Sequence, residues 1–204
     1  MIVIVDYGMG NLGSVQNMLK KVGAKSMISS DPEKILAASK LILPGVGAFD
    51  NGMKNINDMN LVNLLSERVT IEKIPILGIC LGAQLLARRS EEGLLPGLGW
   101  IDAEVVRFRL PVSRDGLKVP HMGWNEIEIK RENPLLTGFA NVPRFYFVHS
   151  YHIHCNNTED VIATSYHGIE FTAALCYGNI MGTQFHPEKS HKFGLQILKN
   201  FCEL

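Results

Sequence analysis

Apolar residues in the first eighty positions fall into short, nearly unbroken runs separated by longer stretches of helical period. Ile2 to Val5, Leu41-Ile42-Leu43 and Ile76 to Ile79 are continuous enough to read as strands buried on both faces. Between the first two, Asn11 to Val22 carries apolar residues at positions 12, 15, 18, 19 and 22, the spacing of an amphipathic helix. Lys25 to Ser29 reads as another strand. Asp31-Pro32-Glu33 gives an N-cap, a proline at the first helical position and a first-turn acid. The strand at Leu41 to Leu43 ends at Pro44-Gly45-Val46-Gly47. Helical segments follow near Asp50 to Asn57 and Leu61 to Thr70. This alternation predicts an α/β fold with a doubly wound, mostly parallel sheet and helices on both faces.

The second half alternates on a shorter scale. Ile101 to Phe108, Lys118 to Pro120, Ile127 to Lys130, Phe145 to Val148, Val161 to Tyr166, Phe171 to Leu175 and Ile180 to Gln184 are strand candidates. Arg114-Asp115-Gly116 and Tyr177-Gly178-Asn179 are turns between them. Hairpins of this kind add an antiparallel or mixed section to the sheet. A last helix is expected from about Ser190 to Asn200. The 204 residues fit one domain, 1–204, with no linker or repeat to divide it.

Composition narrows the classes. Twenty basic and twenty acidic residues give zero formal charge, so no nucleic-acid footprint is expected. No apolar stretch approaches a membrane span. The N-terminus lacks the basic region of a signal peptide. Four scattered cysteines (Cys80, Cys155, Cys176, Cys202) without a C-x-x-C pair point to a reducing cytosol, hence a cytoplasmic protein.

The chemistry concentrates at Gly78-Ile79-Cys80-Leu81-Gly82. This is the cysteine form of the G-x-S-x-G nucleophile elbow, a sharp strand-to-helix turn. A cysteine there would meet a helix N-terminus, in Ala83 to Ala87, that favours its thiolate. The Leu81 amide would face a developing oxyanion. Phe185-His186-Pro187-Glu188 supplies a base: His186 to move the thiol proton, and Glu188 to orient the imidazole if the chain stays extended. Pro44-Gly45-Val46-Gly47 lies at the same sheet edge, either completing the oxyanion hole or forming a plain tight turn.

Other motifs admit two readings. Gly8-Met9-Gly10-Asn11-Leu12-Gly13 with Asp31 matches a dinucleotide fingerprint, or else a turn and an N-cap. His152 and His154 would share a strand face and could ligate zinc, or simply alternate on a half-exposed strand, with His149 to Tyr151 free to line a substrate site. Trp124, in His121-Met122-Gly123-Trp124-Asn125, is either core or an exposed interface anchor. Cys155, Cys176 and Cys202 read as small buried hydrophobes.

Together these residues resemble the class I glutamine amidotransferases, and more narrowly the glutaminase subunits of imidazole glycerol phosphate synthases. The similar stretches run end to end: Asp6 to Leu12, Leu43 to Phe49, Gly78 to Gly82 with Gln84, Ser90 to Gly93, Lys118 to Asn125, Tyr146 to Tyr151 and Gln184 to Ser190. The resemblance implies a triad of Cys80, His186 and Glu188. On the reading of the elbow and the loop above, Leu81, Val46 and Gly47 are expected to form the oxyanion hole. The resemblance implies glutamine held by Gly47, Gln84, His149, Ser150 and Tyr151. It also implies a (β/α)8-barrel cyclase partner met near Met122, Trp124, Asn125 and Lys189, which receives the ammonia directly. No metal or organic cofactor is implied. Paralogues with the same triad would instead feed a sugar-amidating synthetase of surface polysaccharide synthesis. The chain departs from the family pattern at Ala83, usually Met, and at Arg88-Arg89, usually an aromatic and an acidic residue, all close to the nucleophile in sequence.

Overall fold

The computed structural model describes residues 1–110 and 117–204; the turn expected at Arg114-Asp115-Gly116 lies outside them. The first half forms β1 (Ile2–Val5), α1 (Leu12–Lys21), β2 (Ser26–Ser29), α2 (Pro32–Leu36), β3 (Lys40–Gly45), α3 (Phe49–Asp58), α4 (Leu61–Ser66), β4 (Ile76–Cys80) and α5 (Leu81–Gln84). The second forms β5 (Arg89–Ser90), β6 (Ala103–Arg107), β7 (His121–Glu126), β8 (Glu128–Ile129), β9 (Arg144–His149), β10 (Tyr151–Cys155), β11 (Val161–Tyr166), β12 (Glu170–Tyr177), β13 (Ile180–Thr183) and α6 (His191–Glu203).

Eight strands make one sheet in the order β2-β1-β3-β4-β13-β12-β11-β8. From β2 to β13 the neighbours are parallel; β12, β11 and β8 continue antiparallel. Alternate residues feed opposite faces. Val3, Val5, Leu41, Leu43 and Ile76 pack with Ile35, Phe49, Met53 and Leu65 of α2 to α4. Ile2, Ile4, Ile42, Leu77 and Ile79 pack with Val15 and Leu19 of α1 and Ile197, Leu198 and Phe201 of α6. Each buried aliphatic side chain contributes about 1.5–3 kcal/mol, which is why the strand sequences are apolar throughout. Two small sheets, β10-β6-β5 and β7-β9, stand beside the large one.

Several boundaries differ from the sequence reading. β3 runs through Pro44 to Gly45, because its pairing with β1 stops at Ile42 and the missing proline N–H faces no partner strand there. The helix after Cys80 lasts one turn. The carbonyls of Leu85, Leu86 and Ala87 accept from Leu98, Trp100 and Gly99, which removes the acceptors a longer helix would need. Leu61 to Thr70 splits into α4 and a π-helical turn, Glu67–Ile71. Lys118 to Pro120 is irregular, and the strand begins at His121 instead.

Candidate active site

Cys80 ends β4 beside Gly45 of β3, at the carboxyl edge of the parallel strands. Its backbone takes φ 52° and ψ −109°, a conformation costing a non-glycine residue about 1–3 kcal/mol. Close approach holds it there. A Cβ on Gly82 would overlap the Leu43 carbonyl oxygen, and one on Gly78 would stand 2.7 Å from the Ala83 Cα. The elbow was legible; its helix was not. A single-turn α5 carries little macrodipole, so charge on the sulfur has to be met by side chains.

Three polar groups surround that sulfur. His186 follows β13, which pairs with β4 in register from Ile76 to Ile79, so histidine and cysteine reach the same edge. His186 Nδ1 lies 2.8 Å from Glu188 Oε1 with both side chains buried. Burial pushes the imidazole pKa down. Negative charge on Cys80 and then the Glu188 carboxylate oppose this and raise it to about 10. Nε2 has no hydrogen-bond partner among the described residues, so the sulfur acts on it chiefly through charge. Gln184 Nε2 stands 3.8 Å from Cys80 Sγ. The Tyr7 hydroxyl, fully buried and without a partner among the described residues, lies against Gly45. Burial, then the charge of Cys80, pushes its pKa up, so the phenol stays protonated.

A cavity of about 470 Å³ opens above the sulfur. Val46, Gly47, Cys80, Leu81, Gln84, His149, Ser150, Tyr151, His186 and Lys189 all line it, as does Glu92. Gln84 donates through Nε2 to the Tyr151 carbonyl at 3.0 Å and to Gln184 Oε1 at 3.1 Å. Both hydrogens are spent, which leaves its oxygen for a ligand. His149 Nδ1 lies 2.8 Å from the same carbonyl and therefore donates. Its Nε2 then accepts from His121 Nδ1 at 3.2 Å. The ring nitrogens of His149 are thus engaged within the protein, and it shapes the wall rather than offering a free donor.

Met122, Trp124 and Asn125 lie on β7, outside the cavity lining. Met122 and Trp124 are exposed. The Trp124 ring lies parallel to that of His191, with centroids 5.5 Å apart. Asn125 is half-buried and turns inward, donating to Tyr166 O at 2.8 Å and to His121 Nε2 at 3.2 Å. Lys189 Nζ sits 5.6 Å from the Tyr146 ring centroid, at the cavity mouth.

The remaining motifs take structural roles. Gly10 packs against Pro44, and Asp31 caps α2 by accepting from Glu33 N. His152 is buried against Phe108 while His154 is exposed, and no group of three metal-ligating side chains forms among the described residues. Ala83 packs toward Gly78 and Gly182, away from the cavity. Arg88 and Arg89 pair with Asp102 and Glu104 on the surface. None of these three departures lines the cavity. Among the lining or contacting residues given no role from sequence, two amide- or carboxylate-bearing side chains stand out. Glu92 is placed by its bond from Phe49 N at 2.9 Å, and Gln184 by the register of β13. Both lie in family-like stretches, but only the tertiary placement gives them a task.

The model of the class I glutamine amidotransferase family matches residues 3–204. An imidazole glycerol phosphate synthase subunit HisH 2 of Pseudomonas aeruginosa is 54% identical over the full length of both chains. The subunit of the same name from Methanococcus maripaludis is 50% identical, covering 100% of this chain and 99% of that one. Among solved structures, a glutamine amidotransferase superposes with TM-score 0.75 at 18% identity over the whole of both chains. PurLQS from Thermotoga maritima superposes with TM-score 0.74 at 16% identity, covering 99% of this chain and 97% of that one; both likenesses bear on the fold alone. By its family match and its full-length relatives, this chain belongs to the class I glutamine amidotransferase family.

Proposed function

We propose that the chain is the glutaminase subunit of an imidazole glycerol phosphate synthase, acting in histidine biosynthesis with a (β/α)8-barrel cyclase. The observation that carries the chemistry is the buried His186–Glu188 pair facing a strained Cys80 at the floor of one cavity. The full-length relatives carry the choice of pathway over the sugar-amidating paralogues.

The Cys80 thiolate attacks the side-chain amide carbon of glutamine. Amides of Leu81 and of the Val46-Gly47 loop hold the oxyanion. The His186 imidazolium gives its proton to the departing ammonia, leaving a glutamyl thioester and neutral imidazole. Neutral His186 then takes a proton from water as the water attacks the thioester. Collapse restores the thiolate and imidazolium and releases the product acid, which becomes glutamate by losing the second water proton to solvent. Glu188 keeps the ring oriented and its charge compensated. Glu92 and the free oxygen of Gln84 are the acceptors in the cavity for the substrate's ammonium group. The exposed Met122, Trp124 and Lys189 form the rim against which the barrel seats, so ammonia leaves into the partner.

The test is glutamate release by the purified chain, alone and with the cyclase subunit and its ribonucleotide ligand. Strong stimulation by that pair is expected. No complex with the cyclase would overturn the pathway assignment in favour of the sugar-amidating one.

A further inference from the structure

Gln184 stands with its side chain between Gln84 and the nucleophile. It is 1% exposed, and its backbone N–H donates to Ala173 O at 2.9 Å, which fixes the end of β13. Its Oε1 accepts from Gln84 at 3.1 Å, and its Nε2 faces Cys80 Sγ at 3.8 Å. Which end of each amide points where follows from the chemistry of one backbone group. The Tyr151 carbonyl only accepts, so Gln84 must turn its NH2 toward it. The second hydrogen of that NH2 goes to Gln184, which must therefore present oxygen to Gln84 and NH2 to the sulfur. His149 donates to the same Tyr151 carbonyl at 2.8 Å, so the carbonyl accepts from two sides and is held in direction.

We propose that Gln184 is a catalytic hydrogen-bond donor to the Cys80 sulfur, oriented through Gln84 by the Tyr151 carbonyl. The proposal rests on Cys80 being the nucleophile. A buried anion needs donors, and a hydrogen bond to a charged acceptor is about twice as strong as one between neutral groups. Gln184 moves no proton. Its bond is strong while sulfur is a thiolate, weakens when the sulfur becomes a neutral thioester, and returns as glutamate departs. It thus favours ionised sulfur before attack and eases its release as the leaving group in deacylation.

Gln184→Met keeps the size and removes the donor; Gln184→Glu sets a carboxylate against the thiolate. The readouts are the pH profile of Cys80 alkylation by iodoacetamide, with Cys80→Ala as the background for the other three cysteines, and glutamate release. The expected result for Gln184→Met is an alkylation profile moved about one pH unit upward, a roughly tenfold loss of reactive sulfur on its acid limb. Its kcat falls about 10–100-fold with KM little changed, and Gln184→Glu is worse on both counts. A purely structural glutamine would change stability and leave the profile in place. A folded Gln184→Met with the wild-type profile overturns the proposal. If neither variant folds, the side-chain amide resonances of Gln184 in the 15N-labelled chain decide. They shift when Cys80 is replaced by Ala, and unchanged resonances overturn the assignment. Glutamate release that survives Cys80→Ala would instead remove the nucleophile reading itself.

Discussion

His186 and Glu188 meet at 2.8 Å although only Pro187 separates them. In an extended chain, residues two apart point the same way but rarely turn toward each other. Here His186 is extended, with φ −100° and ψ 96°, and Pro187–Lys189 then closes a 3-10 turn that swings the carboxylate back onto the ring. Ser190 locks the turn: its hydroxyl donates to the His186 carbonyl at 2.6 Å, and its oxygen accepts from Tyr146 N at 3.0 Å. The pairing expected from the sequence is therefore present, produced by a turn rather than by an extended strand.

Glu188→Gln keeps the shape of this contact and removes its charge. The imidazolium loses one of the two anions that hold its proton. Steady-state glutamate release is expected to fall about 10²–10⁴-fold with the partner present. A rate within twofold of wild type would mean that Glu188 only positions the ring.

The Cys80→Ala variant should lose glutamate release by about 10⁴-fold or more and still fold. It also tests the charge balance. Cys80 is the larger of the two influences that raise His186 to about 10; without it Glu188 alone opposes burial. The His186 titration, followed by its imidazole proton resonances, therefore moves to lower pH in Cys80→Ala. The stability effect has a definite sign. A base whose pKa rises on folding contributes stability fully below its ordinary value of 6.5, and that contribution is lost as pH climbs toward about 10. Wild type should lose more stability than Cys80→Ala over that window, measured by denaturant midpoints.

The parallel half of the fold was legible because β1, β3 and β4 are buried on both faces and their sequences are accordingly apolar. That Cys80, His186 and Glu188 come to one sheet edge was legible because the elbow and the histidine both lie at strand ends. What stayed hidden was decided by competition between distant backbone groups. The loop of residues 98–101 takes the acceptors of α5 and stops it after one turn. Strand β7 begins at His121 because it pairs there with His149 of β9, a partner 28 residues on; its local sequence, with Gly123 and polar neighbours, gives no such signal. Gln184 read as the last apolar-run residue of a strand, and only the packing of Gln84 beneath it reveals an amide chain.

A second set of histidines titrates in the opposite sense. Burial pushes His121 down to about 4, and it pushes His149 and His152 down as well. These rings stay neutral when folded and take a proton on unfolding, so they leave stability unaffected above pH 6.5 and lower it as pH drops from 6.5 toward 4. His121→Phe keeps a ring against Phe147 and removes one titrating group. Its unfolding midpoint should decline less steeply over that range than wild type; equal slopes would mean that His121 is already charged in the folded protein.

Trp124 is the largest exposed aromatic on β7, parallel to His191 and edge-on to Tyr146. An aromatic held rigid before association loses little freedom on docking, the property that makes tryptophan an interface anchor. Trp124→Ala is expected to weaken binding of the cyclase subunit by about 2 kcal/mol, roughly 30-fold in Kd. Calorimetric titration of the two subunits measures this directly, and an unchanged Kd would place the docking surface elsewhere.

Gly82 tests how the elbow is enforced. Its missing side chain lets the turn after Cys80 lie on the Leu43 carbonyl of the neighbouring strand. Because that neighbour is backbone inside a paired sheet, a methyl group cannot be accommodated by a rotamer change; β3 and β4 must separate or the turn must move. Gly82→Ala should cost at least about 2–3 kcal/mol in denaturant unfolding. Gly13→Ala, at a position with open space, should cost little. If the elbow relaxes rather than unfolds, the Gly82→Ala chain should show slower Cys80 alkylation, since the strained φ that presents the sulfur is then lost. Equal stability of the two variants would show that the turn is held by something other than this backbone contact.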